Sequence, residues 1–548
     1  MDSAVERRKG TERRIATRRS PSSICVLNYS IDALIKIIAN TSGNDELDIS
    51  NKHHISYFET YLDKIEATTL VVERDYVDRD YLEDYSYYYV RCFTSYEKRC
   101  TRIHFFNNNF NENSLFQCIE NTSDSTSFYE ELKDAYLGFI VIKPLPFSVF
   151  GRTCLKSYPE YENGSKRLFP ALRTYTANLC GIDLQIESLA FQEQDKTVSA
   201  CATSALWTVF QGTSQKFHHK NLSPVEITKA ATDQFPDNTR TFPNNGLTFE
   251  MIAQGIRYVG LEPYTQECDE YALKANIYAY LKARIPIFLG FHLYKIKSTK
   301  VKQLRVEHDG VELVSEGLHA VAVTGVNING EPSTEYDNGR LHMSSCYIDK
   351  LFVHDDQVGP FARMSWIKKS ENKLAWGAYQ GSDYQYLAVP MLFTVPLHNK
   401  IRIPYEYIYF KIEKLNKFIE LYKYIFTDRV KWDIYLSLNN DYKSRLSKES
   451  DVIDKKIVLL TPLPRHLWVC EVYDNADEKI LELIFDATDV ENGSCFIMAV
   501  MYNENTKALL EALSIKEDFL ETARVHEVND IISWFGKPIN FMNVCQLD

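Results

Sequence analysis

The sequence predicts a multi-domain protein of the α+β class. Its 548 residues are more than one hydrophobic core usually organises, so roughly two to four domains are expected. In the middle of the chain, segments with helical periodicity precede apolar runs typical of strands, and the same order recurs towards the carboxyl end. Helices that precede strands, rather than alternate with them, indicate a helical layer packed on an antiparallel sheet.

The composition is that of a folded, acidic protein. Hydrophobic residues make up 45% of the chain and charged residues 25%, which excludes a disordered polymer. The net charge of -12 argues against a general nucleic-acid or anionic-membrane binder, because both require a positive surface. No apolar run is long enough to span a membrane and no signal peptide is evident, so we expect a soluble, cytoplasmic protein.

The cysteines and the absence of cofactor motifs narrow the possible chemistry. The twelve cysteines contain no C-x-x-C pair, so reduced thiols are expected rather than a zinc ribbon or a disulfide scaffold. No phosphate-binding or dinucleotide-binding glycine loop is present. We therefore expect neither a cofactor nor a metal site.

The amino-terminal part is predicted to contain a basic arm and a tyrosine-rich α/β region. Residues 1–24 form the arm, since seven of the first nineteen side chains are basic and three are acidic. It is either an exposed tail or a docking arm for an acidic partner. We do not expect nucleic acid to bind any part of the chain other than this arm. Residues 25–132 form the α/β region, with a polar loop or linker at 107–127.

An acidic, tyrosine-rich segment stands out at residues 76–89, where six tyrosines lie among four acidic side chains and Asp75 directly precedes them. We interpret it as a helix or strand whose half-buried tyrosines pack on another domain. The alternative is a surface that recognises a partner.

Residues 133–396 are predicted to form the central domain. Ser223 begins one helix, because Pro224 suits the first helical position and Glu226 completes a capping box. The next helix ends at Gly260, which suits a left-handed cap. The other predicted elements are a helix at about 272–283 and strands at 137–141, 147–150, 285–290, 320–326 and 347–353.

Residues 397–548 are predicted to form a second α+β domain. It opens with helical periodicity at Ile412, Leu415 and Phe418. Apolar runs that resemble strands follow at 432–436, 457–460, 467–472, 481–485 and 496–501.

Cys201 is the cysteine most suited to catalysis. Small residues surround it, and the apolar pattern after it predicts a helix that begins at or near this thiol. The partial positive charge and unpaired N–H groups of a helix start favour the thiolate, which is the nucleophilic form. Gln194 lies several residues upstream, where its amide and the Cys201 N–H could stabilise an oxyanion.

A histidine and two carboxylates complete the candidate site. His319 begins one predicted apolar strand, and Asp355 and Asp356 end another. Nucleophilic catalysis needs a thiolate, a histidine that takes and returns a proton, and an acid that fixes the imidazole. The chain supplies Gln, Cys, His and Asp in that order.

That order and these local sequences resemble the papain-like cysteine peptidases, and in particular the bacterial branch that trims double-glycine leaders from bacteriocin precursors. The resemblance covers under half of the chain and implies a papain-like fold for residues 133–396. It implies that Cys201 is the nucleophile, His319 the general base and acid, and Gln194 the oxyanion-hole residue. Two positions depart from the pattern: Ala202 replaces the usual Gly, and Gln194 lies one residue further from the cysteine than is common.

The resemblance also implies that Asp355 orients His319, with Asp356 as the alternative. Asp356 occupies the place where the branch often has Pro, which favours Asp355. Neighbouring side chains of a strand point to opposite faces, so we expect only one of the two to face the histidine.

The expected function is a soluble cysteine peptidase that cleaves peptide or isopeptide bonds through an acyl-thioester on Cys201. Its expected partners are a protein or peptide substrate and a regulatory protein bound through the amino- or carboxyl-terminal region. Two alternatives stay open. The same site could act as a transglutaminase, acyltransferase or deamidase, or the domain could be a non-catalytic binding module.

Overall fold

A computed structural model shows a mixed α+β protein whose sheets are antiparallel, as the sequence predicts. Three large sheets and one two-stranded sheet carry the described strands. The structure describes residues 24–120, 126–162, 164–195, 197–234, 241–244, 246–267, 269–296, 313–332, 340–367, 372–376, 386–422, 430–490 and 494–537.

The amino-terminal region is built on a five-stranded sheet in which each strand pairs with the next along the chain. Ser30 and Asp78 cap two of its helices, because each side chain accepts a hydrogen bond from a backbone N–H three residues later. The elements are β1 (Ile24–Asn28), α1 (Ile31–Ser42), α2 (Glu46–Ser50), α3 (His53–Lys64), β2 (Thr69–Tyr76), α4 (Arg79–Tyr87), β3 (Cys100–Phe106), α5 (Glu112–Glu120), α6 (Thr126–Asp134), β4 (Tyr136–Ile142) and β5 (Phe150–Leu155).

This first sheet extends beyond the boundary predicted at residue 132. Strands β4 and β5 fall in the predicted central domain, yet β4 pairs with β3 and β5 pairs with β4. The predicted strand at 147–150 is also wrong, because β5 begins only at Phe150.

The linker predicted at 107–127 contains helix α5, whose Leu115 and Cys118 are buried. The polar composition there marks the exposed face of an amphipathic helix rather than an unstructured connection. Residues 121–125 and residues 1–23 of the basic arm lie outside the described residues.

The central region contains a closed ring of six strands. Its elements are β6 (Tyr161–Glu162), β7 (Ser165–Leu168), β8 (Arg173–Leu179), β9 (Ile182–Ser188), α7 (Cys201–Phe217), α8 (Pro224–Thr232), α9 (Phe249–Tyr258), β10 (Leu261–Gln266), α10 (Glu270–Lys282), β11 (Ile287–Ile296), β12 (Leu313–Ile328), β13 (Ile348–Asp355), β14 (Gly359–Trp366), β15 (Leu374–Trp376) and β16 (Tyr386–His398). Strands β11 to β16 pair in sequence, and β16 pairs back to β11. The two-stranded sheet consists of β8 and β9.

The predicted start of α8 and the predicted end of α9 are confirmed. Both bonds of the capping box between Ser223 and Glu226 are present at α8. Thr248 and Asp269 cap α9 and α10 in the same way through their side-chain oxygens. Gly260 follows α9 with a φ of 85°, in the left-handed region that favours glycine.

The carboxyl-terminal region contains a four-stranded antiparallel sheet in chain order. Its elements are α11 (Tyr405–Leu421), β17 (Lys431–Leu438), α12 (Asn439–Lys448), α13 (Lys455–Leu460), β18 (His466–Tyr473), β19 (Lys479–Asp486), β20 (Phe496–Met501), α14 (Glu504–Leu513), α15 (Glu517–Val525) and α16 (Asn529–Phe535). The predicted strand at 457–460 is instead part of helix α13, in which Val458 is the buried residue. A short apolar run does not distinguish a helix from a strand by periodicity.

One apolar cluster connects the three regions. It includes Leu34 and Phe150 of the amino-terminal region, Leu289 of the strand ring and Trp468 of the last sheet. Within the described residues, no helix combines the length and the apolar composition that crossing a bilayer requires.

Candidate active site

Cys201 is the first residue of helix α7, as the sequence predicts. It is half-buried, whereas the residues from Ala202 to Ser214 are buried. Ala200 occupies the cap position and makes no side-chain cap bond, so the backbone N–H groups of the first turn point out of the helix without that partner. The positive end of the α7 dipole therefore lies at the thiol.

The segment before Cys201 is fixed by backbone hydrogen bonds. Asp195 accepts hydrogen bonds from the N–H groups of Thr197 and Val198 at 2.8 and 2.7 Å. Thr228 of α8 donates to the carbonyl oxygen of Val198 at 2.7 Å. These bonds fix where α7 begins and hence where the thiol lies.

His319 lies on β12 and contacts both Cys201 and Asp355. Its Nε2 donates to Asp355 Oδ1 at 3.0 Å, and the Cys201 side chain lies close enough to act on the imidazole. Because Nε2 is used by the carboxylate, Nδ1 is the ring nitrogen left for the thiol. The imidazole edge packs on Phe291 and Trp376, with ring centroids 5.3 and 5.8 Å away.

Asp355 ends β13 and accepts three hydrogen bonds. Besides the bond from His319, its Oδ1 accepts from Gln357 N at 3.0 Å and its Oδ2 accepts from Trp376 Nε1 at 2.6 Å. Burial opposes the charge on Asp355, but His319 and these donors outweigh it and lower the pKa of the carboxyl. Asp355 is thus held as a carboxylate.

The interaction with Asp355 also holds His319 in its protonated, cationic form. Burial acts to lower the pKa of His319, but Asp355, the adjacent Cys201 side chain and the nearby Asp356 raise it well above its ordinary value. The imidazole beside Cys201 therefore carries a proton that it can donate.

Asp356 also lies close to His319, contrary to the prediction that only one aspartate faces it. Its Oδ1 is 3.8 Å from His319 Nε2. Strand β13 ends at Asp355, so Asp356 belongs to the following turn and the alternation of a strand does not apply. Neither Asp356 oxygen has a hydrogen-bond partner in another described residue.

The unpartnered position of Asp356 affects its ionisation. Burial, together with the negative charges of Asp355 and Glu193, raises the pKa of Asp356 to about 7, although His319 acts in the opposite direction. The two aspartates therefore differ: Asp355 is an ion at neutral pH, whereas Asp356 titrates there.

His319, Asp355 and Asp356 also form the one group of metal-ligand type among the described residues, with their ligand atoms within 4.8 Å of one another. Most of the atoms in this group that could bind a metal are already used in hydrogen bonds within the protein. His319 Nε2 and both oxygens of Asp355 already bind donors or acceptors of the protein, which leaves only Asp356 with unused oxygens.

Gln194 is half-buried in the segment before α7, and none of the hydrogen bonds among the described residues involves its side chain. Its role in an oxyanion hole stays a prediction. Its neighbour Glu193 anchors the segment, accepting from Val149 N and Phe150 N at 2.7 and 3.0 Å and pairing with Lys52 at 2.8 Å. The buried Nε2 of the nearby Gln192 has no partner in the described residues.

The amino-terminal region holds the turn that carries the acid. His54 of α3 donates from Nε2 to the carbonyl oxygen of Asp356 at 2.8 Å. The Tyr57 hydroxyl donates to the carbonyl oxygen of Pro360, and its ring lies against Gly359. A Cβ at Gly359 would come within 2.4 Å of this ring, so the close approach requires glycine.

The acidic, tyrosine-rich segment supports the cysteine helix, which confirms that it packs on another part of the chain. Asp80 of α4 accepts from Trp207 Nε1 of α7 at 3.0 Å. Tyr89 is buried and donates to Asp195, the residue that fixes the segment before Cys201. Sequence patterns did not assign these supporting residues, because their partners lie more than a hundred positions away.

Neither the protein-family models nor the curated proteins contain a match to this chain.

Proposed function

We propose that this chain is a papain-like cysteine peptidase that cleaves peptide or isopeptide bonds. One observation carries the proposal: Cys201 begins a helix and lies beside His319, which in turn bonds to Asp355 at 3.0 Å. This is the nucleophile, base and orienting acid that thiol-based acyl transfer requires.

Each residue has a role in the proposed reaction. The Cys201 thiolate attacks the substrate carbonyl carbon and forms a C–S bond, while the first-turn N–H groups of α7 face the developing oxyanion. His319 donates its proton to the leaving amine as the C–N bond breaks. Water then attacks the thioester, gives its proton to His319, and releases the acid and the Cys201 thiolate.

Thiol reactivity tests the proposal. The protein is treated with iodoacetamide at pH 6 and the alkylation of each cysteine is followed by mass spectrometry. Cys180 is the internal control, because it is more exposed than Cys201 but burial and Glu73 raise its pKa. We expect Cys201 to react at least about tenfold faster than Cys180, because only Cys201 has an imidazolium next to it.

The His319→Ala variant should abolish this difference and leave the Cys180 rate unchanged. Equal rates at Cys201 and Cys180, or a Cys201 rate that survives His319→Ala, would contradict the proposal and favour a binding module.

The acceptor of the acyl group needs a separate measurement. A peptide library is incubated with the protein, with and without an added primary amine, and the products are identified by mass spectrometry, with Cys201→Ala as control. We expect cleaved peptides with free carboxyl ends. Amine adducts or deamidated glutamine would instead identify an acyltransferase or a deamidase.

A further inference from the structure

A cluster of basic side chains lies where the central and carboxyl-terminal regions meet, at the opposite end of α7 from Cys201. We call it the seam cluster. Its members come from four separate segments of the fold and are Lys216, Arg284, His398, Lys400, Arg465 and His466.

Ring contacts bring these segments together. Lys216 lies in the last turn of α7 beside Phe217, whose ring centroid is 5.5 Å from that of His398 at the end of β16. The His398 and His466 rings are 5.4 Å apart. Lys400 follows His398 closely in the chain and donates its backbone N–H to His398 Nδ1 at 3.2 Å.

The positive charges of the seam cluster are not neutralised by the protein. None of Lys216, Arg284, Lys400 and Arg465 takes part in an ion pair between described residues, and Asp441 is the acid that acts on Lys216. The α7 dipole accounts for one cation at its carboxyl end, but not for those that other segments contribute. In a chain of net charge -12, such a concentration of positive charge needs a separate reason.

Burial and the repulsion between neighbouring positive charges lower the pKa values of the buried members of the cluster. Burial, followed by His398, Arg465, Lys216 and Lys400, lowers the pKa of His466 to about 4. Burial also lowers the pKa of Lys216 to about 8, with Arg284 and Arg465 adding to it and Asp441 opposing it. His466 is 1% exposed, and its Nε2 has no hydrogen-bond partner among the described residues.

We propose that the seam cluster binds a small anion that carries two or more phosphate groups. Arginine and lysine side chains that converge from separate elements provide several charge-assisted bonds to phosphate oxygens. The ring nitrogen of His466 supplies one more donor once it takes up a proton. The bound anion cancels the repulsion among the four cations.

The test uses the full-length protein and inorganic tripolyphosphate in isothermal titration calorimetry at constant ionic strength. We expect one saturable site. Lys400→Met and Arg465→Met should each weaken binding about tenfold, because each removes a charge-assisted bond. Both side chains are exposed, so these variants should fold. The control Lys36→Met removes an equally exposed lysine from α1 and should bind as the wild type does.

Histidine NMR gives a second readout that does not depend on catalysis. Tripolyphosphate should raise the pKa of His466, and affinity should increase from pH 8 to pH 6 as Lys216 is protonated and as the bound anion draws protons onto the two histidines. Cys201→Ala should bind normally, which separates this proposal from the proposed peptidase activity.

Vesicles that contain a phosphoinositide distinguish a lipid headgroup from a free anion. Binding to tripolyphosphate but not to vesicles identifies a free anion, and binding to both identifies a phosphate site that also accepts headgroups. Absence of saturable binding, or an equal loss in Lys36→Met, would overturn the proposal.

Discussion

At the scale of single residues, Trp376 and Asp356 decide how charge is distributed in the site. Trp376 donates to Asp355 and packs on the edge of His319, so it contacts two members of the proposed triad. Asp356 is buried next to them without a hydrogen-bond partner for its oxygens in the described residues. One residue stabilises the His319–Asp355 ion pair, and the other adds a charge that the site does not neutralise.

Trp376→Phe should lower the rate of Cys201 alkylation and of turnover about tenfold. The phenyl ring keeps the packing on His319, but the hydrogen bond to the Asp355 carboxylate is lost, at a cost of about 1.5 kcal/mol. Iodoacetamide kinetics and peptide turnover measure the effect. Trp366→Phe is the control, because its indole N–H has no partner in the described residues. Equal rates in both variants would show that the Trp376 bond does not support the site.

Asp356→Asn should stabilise the protein at alkaline pH. The folded state holds the pKa of Asp356 near 7, above its unfolded value of about 4, so stability is lost as the pH rises from about 4 to 7. Asparagine carries no charge and removes this cost, which is on the order of 1–3 kcal/mol. Thermal melts should show a higher Tm for the variant at pH 8.5 and equal values near about pH 3, below the unfolded pKa.

Asp355→Asn should have the opposite effect, because the pKa of Asp355 is lowered and its charge stabilises the folded state above the unfolded pKa. A lower Tm of Asp356→Asn at pH 8.5 would show that the Asp356 charge is neutralised in solution.

Sequence patterns identified Cys201, His319 and Asp355 because a helix start, the beginning of an apolar run and a strand end are local features. They did not identify Trp376, which follows a run of polar residues and reaches Asp355 only through the pairing of β14 and β15. The expected orientation of Asp356 was wrong for a related reason. The strand stops one residue earlier than the alternation rule assumes, and only the turn geometry shows it.

At the scale of elements, the position of α7 depends on a close contact with the ring of strands. Gly212 lies in the middle of the helix, and a Cβ there would come within 2.6 Å of the Pro286 ring, just before β11. Leu206, Trp207 and Phe210 of α7 also belong to the same buried apolar cluster as Phe288 of β11. The glycine therefore sets how closely the cysteine helix approaches the strands that carry His319.

Gly212→Ala should destabilise the protein by about 1–3 kcal/mol, because the added methyl group overpacks a rigid proline contact. The control is Gly255→Ala in α9, where the nearest atoms are 3.7 Å away. Alanine is the better helix former, so this control should stabilise the protein by about 1 kcal/mol. Urea titrations measure both. A stabilised Gly212→Ala would mean that α7 does not contact Pro286 in solution.

The sequence predicted most central elements because their caps and apolar periodicity are explicit, as at α8 and α9. It failed at 457–460, where four apolar residues suited either a helix or a strand. It also failed at 107–127, where a helix with two buried side chains has the composition of a loop. In both places, the packing of neighbouring elements decides the structure.

At the scale of the whole molecule, the amino-terminal region is part of the framework of the site. Its helices fix the turn after Asp355 and the segment before Cys201 through His54 and Tyr89. The predicted boundary at residue 132 divides a sheet, because pairing between β3 and β4 is not visible in composition. The three regions also share one apolar cluster.

The described regions should therefore unfold in a single cooperative transition. A shared core makes the folded state of one region depend on the others, so different probes should report the same midpoint. Far-UV circular dichroism and tryptophan fluorescence in urea provide the comparison, because Trp207 and Trp468 report on the central and last regions. Separate midpoints, or a calorimetric enthalpy unlike the van't Hoff value, would show that the last region folds alone.

The bonds from α3 to the turn after Asp355 also determine when the site forms during synthesis. His54 and Tyr57 bind carbonyl groups about three hundred residues later in the chain. Contacts between such distant positions form slowly, and here they must wait until the ribosome has made β14. A nascent chain thus carries Cys201 for some time before His319 and Asp355 reach their folded positions. For the proposed peptidase, this order of folding would leave the thiol without its histidine while other unfolded polypeptides are close by.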